Sequence, residues 1–397
     1  MHIIRFIKSF YFFTKLIFIK KHYNVIFFYP AHFNRGIKNE NEFFQPFYEI
    51  CKKNDIKFLA IEEPELFKSA KSATNTVPFD FILIIILILR KVIPLKKFNS
   101  FQHREWHIAK LLKPIFFRNL TFDNYITISN SMLGFFRGLS ESAKLYDYQH
   151  GVITSKHTGY LDCTTKLAAE HIRLNDVNIM VHGNGFANVL KRSVEDEYYD
   201  SHVFVVGKND KKHIKRSLEF NFILFSLQFA DFNPSLNKEI LYKINNFFIE
   251  NKKFFIENDI FVLLKHHPRF SHDIDPSPLY DFPFTKHFKG TLFDALEKCF
   301  AHITFHSTTT FEAASIKVPT LLLKNNLMDP EFFVNDYKYP LGIKNEQEII
   351  ESIYAYLHNE SKYQQDSYNV YNWYKKFYSD IDESLFLELL KSQKETN

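Results

Sequence analysis

With 397 residues, 46% of them hydrophobic and 24% charged, the chain is too apolar for an intrinsically disordered protein and long enough for two α/β domains. Its three cysteines, Cys51, Cys163 and Cys299, are far apart and make no metal-ligand spacing, and a reducing compartment fits them. The net charge of +5 is too mild to mark a dedicated nucleic-acid binder, but it permits an anionic substrate or membrane surface.

Met1 to Lys21 mixes Phe, Ile and Leu with Arg5, Lys8, Lys15, Lys20 and Lys21. Charges break the apolar run and no small-residue cleavage site follows, so it does not read as a signal peptide. Tyr23 to Tyr29 is the first strand, Pro30 to Gly36 a loop, Glu42 to Lys53 a helix and Ile56 to Ile61 a second strand. Residues 64 to 120 give no clear order. Within them Phe81 to Leu89 is continuously apolar and is followed by Arg90, Lys91, Lys96 and Lys97. It falls short of the ~20 residues of a spanning helix, which leaves a buried helix or a basic-flanked surface resting on a bilayer. Further strands are Tyr125 to Ile128, Lys144 to Tyr148, Asn178 to Val181 and Val203 to Val206. The basic, polar stretch Lys208 to Leu218 marks a domain boundary.

A second alternating set then begins. Phe222 to Gln228 is a strand, Asn237 to Glu257 a helix, Phe261 to Leu264 a strand and Thr291 to Cys299 a helix. Ala301 to Phe305 and Val318 to Leu323 are strands around a short helix, and Glu346 to His358 and Tyr363 to Tyr378 are late helices. Strand and helix alternate throughout, so each domain is expected to be a parallel sheet. The expected division is 1–210 and 211–397, with the last helices able to pack back on the first domain.

In open α/β sheets ligands bind at the carboxyl ends of the strands, so the polar residues there are the site candidates. One strand ends in Lys265-His266-His267-Pro268-Arg269, where His267 could hydrogen-bond a phosphate and Lys265 and Arg269 add charge; an exposed turn is the plain alternative. Another ends in Ser307-Thr308-Thr309 as a helix opens, offering hydroxyls and free N–H groups to the same phosphate. Thr309 and Glu312 also match a helix capping box, so Glu312 is either structural or a ligand of ribose hydroxyls. In the first domain Gln149-His150-Gly151 ends a strand, and His150 is the best general-base candidate, with Asp147, His157 and Asp162 as alternatives. Asp147 alternates with Tyr146 and Tyr148 and so faces away from them. His182-Gly183-Asn184-Gly185 reads as a tight turn at the rim, which makes His182 and Asn184, with His157, candidate acceptor contacts. Asp273-Ile274-Asp275 and Asp380-Ile381-Asp382 end no buried strand, so no metal is expected.

The pair HHPR and FHSTTTFEAASIKVPTLLL resembles the HP and Ser/Thr motifs of bacterial sialyltransferases, polysialyltransferases and capsule Kdo transferases. FILFSLQFADF is similar to the first strand of the nucleotide domain of capsule-polysaccharide proteins, and YDYQHGVITSKHTGYLD to a Gln-His-Gly segment of surface-polysaccharide transferases. The resemblance covers residues 146 to 324. It implies the GT-B architecture: two Rossmann-like parallel-sheet domains facing a cleft, the first binding acceptor and the second a nucleotide sugar. It further implies that Lys265, His267, Pro268, Arg269, Ser307, Thr308, Thr309 and Glu312 bind the nucleotide, with Ser226 and Gln228 at the neighbouring strand end. The Asp/Glu-Asp/Glu-Gly base motif of the sialyltransferases is absent. The expected function is transfer of a CMP-activated acidic sugar, of the sialic or Kdo type, in capsule or lipopolysaccharide synthesis. The expected protein needs no cofactor, does not bind nucleic acid and acts on a glycan or lipid-linked glycan at the cytoplasmic face of the inner membrane. A UDP-sugar or CDP-glycerol-type transferase, or a non-catalytic scaffold of the same fold, are the alternatives.

Overall fold

The computed structural model describes residues 3–34, 40–65, 73, 75–208, 221–229, 234–266, 274–325 and 331–391. The chain forms two compact units, Met1–Asp210 together with Ser379–Asn397, and Lys211–Tyr378.

The first unit runs α1 (Ile3–Lys15), β1 (Lys21–Pro30), α2 (Gln45–Lys53), β2 (Phe58–Glu63), β3 (Val77–Pro78), α3 (Asp80–Val92), α4 (Phe101–Leu112) and β4 (Leu120–Thr127). It continues with α5 (Leu133–Leu139), β5 (Lys144–Tyr148), a ribbon of β6 (Leu161–Asp162) and β7 (Leu167–Ala168), and α6 (Glu170–Leu174). The last elements of that run are β8 (Val177–Val181), α7 (Asn184–Arg192), α8 (Tyr198–His202) and β9 (Val203–Val205). Seven strands form a parallel sheet in the order β3-β2-β1-β4-β5-β8-β9. The winding moves outward from β1 to β3, then resumes on the other side of β1 at β4. The edge between β1 and β4 is therefore a topological switch point.

β1 is buried on both faces, as the middle of a parallel sheet requires. Phe27 and Tyr29 pack on Phe44 and Tyr48 at α2, while Phe28 packs on Phe79 and Phe136. The C-terminal helix Glu383–Leu390 covers the α2 face, with Phe386 4.6 Å from Phe47 and the Tyr146 hydroxyl donating to Leu389 O at 2.9 Å. The returning chain crosses Gly207 so closely that a Cβ there would lie 2.1 Å from Asp380 O, and φ is +84°. Only glycine fits. Phe81 to Leu89 proves to be neither wholly core nor wholly surface. α3 buries Ile82, Leu83 and Ile86 and exposes Ile88 and Val92.

The second unit contains β10 (Phe222–Leu227), α9 (Pro234–Glu250), α10 (Lys252–Glu257), β11 (Phe261–His266), β12 (Thr285–His287), α11 (Leu292–Leu296) and β13 (Ala301–Thr304). It ends with α12 (Thr309–Ser315), β14 (Thr320–Leu323), α13 (Glu331–Asn335), β15 (Ile343–Lys344), α14 (Glu346–His358) and α15 (Glu360–Phe377). Its parallel sheet has the order β12-β11-β10-β13-β14-β15, the same winding as the first, with its switch point between β10 and β13. Ile223, Phe225 and Leu227 point to the α9 core, and Leu224 points to the opposite cluster with Leu296 and Ala313. Strand alternation puts Ser226 on the Leu224 side. The helix expected from Asn237 to Glu257 is interrupted at Asn251. The edge strands β12 and β15 are only two or three residues long, too short to leave a periodic pattern.

Candidate functional site

In the second unit the switch point is tied by side chains from both flanking strands. His302, fully buried in β13, lies with Nε2 2.8 Å from Ser226 Oγ on β10 and Nδ1 2.9 Å from Thr320 Oγ1 on β14. Thr309 Oγ1, on the first residue of α12, is 3.5 Å from the same Nε2. Burial pushes the His302 imidazole down to about 3, so it is neutral, one ring nitrogen donating and the other accepting. It shapes the edge without charging it. Gln228 Oε1 accepts the His306 N–H at 3.3 Å, a second tie across the switch point.

Thr308 is the N-cap of α12 but makes no side-chain cap hydrogen bond, so the Thr309–Glu312 capping box does not start this helix. Thr308 is exposed, and Ser307 Oγ accepts the Thr309 N–H at 3.3 Å. Phe311 stacks on Trp373 at 4.6 Å, which fixes α12 and the hydroxyl-bearing turn before it. Glu312 is half-buried on the first turn. Lys265 pairs with Ser226 in the strand register, and its ammonium donates to Gly290 O at 2.5 Å. Ser226, Gln228, Ser307 and Thr309 are thus brought together, with Lys265 one strand away. His267, Pro268 and Arg269 lie outside the described residues. His266 hydrogen-bonds the Tyr280 hydroxyl, with the His287 ring 5.2 Å away. Burial, then His287 and Lys265, lower its pKa.

In the first unit the structure gathers His150, Asp147 and His157 around the turn after β4. Ser129 and Asn130 both adopt left-handed backbone, with φ of 62° and 55°. Asp147 is fully buried and braces that turn, accepting the Asn130 N–H at 2.7 Å and the Tyr160 hydroxyl at 2.6 Å. Burial raises its carboxyl to about 7 against the pull of those two hydrogen bonds. The tyrosines flanking Asp147 in β5 point to the opposite face. His157 stacks on Tyr160 at 4.8 Å, and burial lowers its pKa. His150, half-buried, leans toward the switch point, with Ser129 Oγ 3.2 Å from Nε2 and the Phe33 ring 5.4 Å away.

His182 is buried beneath this edge beside Tyr148. Its N–H donates to Gln149 Oε1 at 2.9 Å, and burial, then Lys208, holds its imidazole well below the ordinary histidine range. Asn184 is exposed on the first turn of α7. Asp162 accepts the Thr164 and Thr165 N–H groups and is a turn residue. Asp382 caps the C-terminal helix by accepting the Leu385 N–H, and Asp275 accepts that of Ser277. Among the described residues no group of three or more His, Cys, Asp or Glu is placed to hold a metal. A cavity of about 340 Å³ beside α2, lined by Tyr29, Asn41, Tyr48 and Thr76, contains none of the expected site residues.

His302 and the His266, Tyr280 and His287 group were not singled out by motif. The available signal was the alternation of β13, which puts a histidine on the same face as Thr304.

No family profile matches the sequence, and no curated protein matches it. Solved structures do match its fold. The UDP-N-acetylglucosamine 2-epimerase of Neisseria meningitidis, solved with UDP-N-acetylglucosamine bound, is 13% identical with a TM-score of 0.53, over 93% of this chain and 99% of that one. A Listeria monocytogenes protein assigned as a UDP-N-acetylglucosamine 2-epimerase is 11% identical with a TM-score of 0.51, over 95% and 97%. The wall teichoic acid polymerase TagF, in a variant form, is 12% identical over 98% and 97% with a TM-score of 0.48, a more distant likeness. The chain therefore has the fold class of GT-B proteins, two Rossmann-like α/β domains.

Proposed function

We propose that the protein is a nucleotide-sugar-dependent glycosyltransferase of bacterial surface-polysaccharide synthesis, for capsule or lipopolysaccharide, with a CMP-activated acidic sugar as donor. The observation that carries this reading is the hydroxyl cluster at the β10–β13 switch point, where Ser226 and Thr309 converge on His302 beside the exposed Thr308. Helix N-termini and hydroxyls at such an edge suit a phosphate. Ser307, Thr308 and Lys265, with His267 and Arg269, would hold the donor phosphate, and Glu312 the ribose. The first unit would bind the glycan or lipid-linked glycan acceptor. His150 would act as general base, and Asp147 would position the Ser129–Asn130 turn beside it. No metal takes part, and the protein works peripherally at the inner face of the cytoplasmic membrane. Isothermal titration with CMP, CDP and UDP, followed by donor hydrolysis read by mass spectrometry, tests the reading. Tighter binding of UDP or CDP would replace the donor class, and no binding of any nucleotide would leave a non-catalytic scaffold.

A further inference from the structure

Helix α1 is built inside out. Its buried stripe is Arg5, Ser9 and Phe13, at i, i+4 and i+8, while Ile3, Ile4, Ile7, Phe10 and Tyr11 face outward. Ile3 is 76% exposed and Tyr11 65%. The orientation is locked from within. Arg5 forms ion pairs with Glu62 and Asp80, both fully buried, and Ser9 Oγ accepts the Phe81 N–H at the start of α3 at 3.0 Å. Rolling the helix to hide its isoleucines would strand two buried carboxylates.

The outward face continues beyond α1. Phe81 touches Phe6 and Phe10 of α1 and Phe116 of the π-helical turn Lys113–Phe117. On the same segments Phe18, Ile19, Ile88, Val92, Leu95, Leu111 and Ile115 are exposed. The charges on the same segments have one sign. Ile3 to Lys21 has no acidic residue, and the single one between Phe81 and Arg118 is Glu105, buried against Arg90. Lys8, Lys15, Lys20, Lys91, Lys96, Lys97 and Lys113 on these segments are exposed. Among the described residues no helix is long and apolar enough to cross a membrane.

We infer that the outward face of α1, with the exposed ends of α3 and the π-helical turn, inserts into the interfacial layer of an anionic bilayer. Exposed apolar side chains interleaved with exposed lysines, with no exposed carboxylate on these segments, match the chemistry of a lipid surface bearing acidic headgroups. A second copy of this chain would bring the same lysines to the contact and be repelled by them. The inference deepens the peripheral reading given above by naming the surface.

The test is co-sedimentation of the full chain with vesicles of phosphatidylcholine and phosphatidylglycerol, against phosphatidylcholine alone. Wild type should bind the anionic vesicles and release as salt rises. The triple substitution Ile3→Ser, Ile7→Ser, Tyr11→Ser should weaken partitioning at least ~ten-fold with an unchanged melting temperature. Lys8→Gln and Lys15→Gln should each weaken it roughly five-fold. No binding at low salt, or binding untouched by the triple variant, overturns the inference. Self-association removed by that variant, without vesicle binding, assigns the face to a second copy instead. Nucleotide titration needs no vesicles, so the proposed activity and this surface can fail separately.

Discussion

Ser226 Oγ on β10 lies 2.8 Å from His302 Nε2 on β13, so one neutral imidazole ties the two strands that part at the switch point of the second sheet. The His302→Ala variant would leave the Ser226 and Thr320 hydroxyls buried without their partner, a loss of about 1–3 kcal/mol for each unsatisfied group. Urea unfolding should register it, and nucleotide affinity should fall as the Thr309 turn loosens.

The same residue sets a pH dependence. His302 is held neutral down to about 3, while in the unfolded chain an ordinary histidine gains a proton near 6.5. Between those values the unfolded state binds more protons, so stability falls as pH falls from about 6.5 toward 3. Between those values the stability of His302→Ala should fall less steeply with acid than that of wild type, because this contribution is removed; an unchanged acid slope in the variant would show that other groups set it.

Asp147 carries the opposite sign. Its carboxyl titrates at about 7 in the fold and near 3.9 when unfolded, so the folded state binds more protons between them. Stability from this group therefore falls as pH rises from about 4 to 7. Asp147→Asn keeps an acceptor for the Asn130 N–H and removes the titration, so it should flatten that part of the profile. A variant that unfolds less readily at pH 7 than at pH 5, relative to wild type, is the expected signature.

Strand identity was legible where burial on both faces writes an unbroken apolar run. Lys144 to Tyr148 is β5 to the residue, and Phe222 to Gln228 differs from β10 by one. The polar clusters at strand ends were legible too, because few reasons place serine, threonine and histidine directly after such runs. What was not legible is partnership across long separations. Ser226 and His302 are 76 residues apart, and nothing in either local pattern names the other. Thr309 and Glu312 match a capping box, yet the Thr309 hydroxyl turns inward to a histidine that only the sheet brings near. For α1 the periodicity exposes an amphipathic stripe, but which side faces the protein depends on Glu62 and Asp80, which come from other elements.

Lys265 pairs with Ser226 in the strand register, one strand from the hydroxyl cluster, and His302 supplies no charge. Lys265→Met should weaken nucleotide binding by about 1.5–3 kcal/mol, roughly ten- to hundred-fold. Since protein cations are proposed to meet the phosphate, EDTA should leave the titration unchanged. Binding lost on chelation and restored by Mg²⁺ would transfer the role to a metal.

The general base is the sharpest assignment to test. His150 stands at the carboxyl end of β5, half-exposed, with its ring between Ser129 and Phe33 at the edge of the first switch point. Asp147 is fully buried below and already accepts two hydrogen bonds, so it is placed to hold the turn rather than to meet an acceptor hydroxyl. His150→Asn keeps a polar side chain of similar reach but no basic nitrogen. It should lower transfer by 10² to 10⁴, about 3 to 5 kcal/mol of barrier, while nucleotide affinity stays unchanged. In wild type the rate should rise with pH as the imidazole loses its proton, because only the neutral ring accepts one; the variant should lose that dependence. Asp147→Asn should act differently, altering stability and the position of the turn while keeping the pH rise. Wild-type turnover in His150→Asn would move the role to His157, whose ring lies against Tyr160 in the same neighbourhood. Loss of nucleotide binding in that variant would place His150 with the donor and overturn the assignment of the base to the first unit.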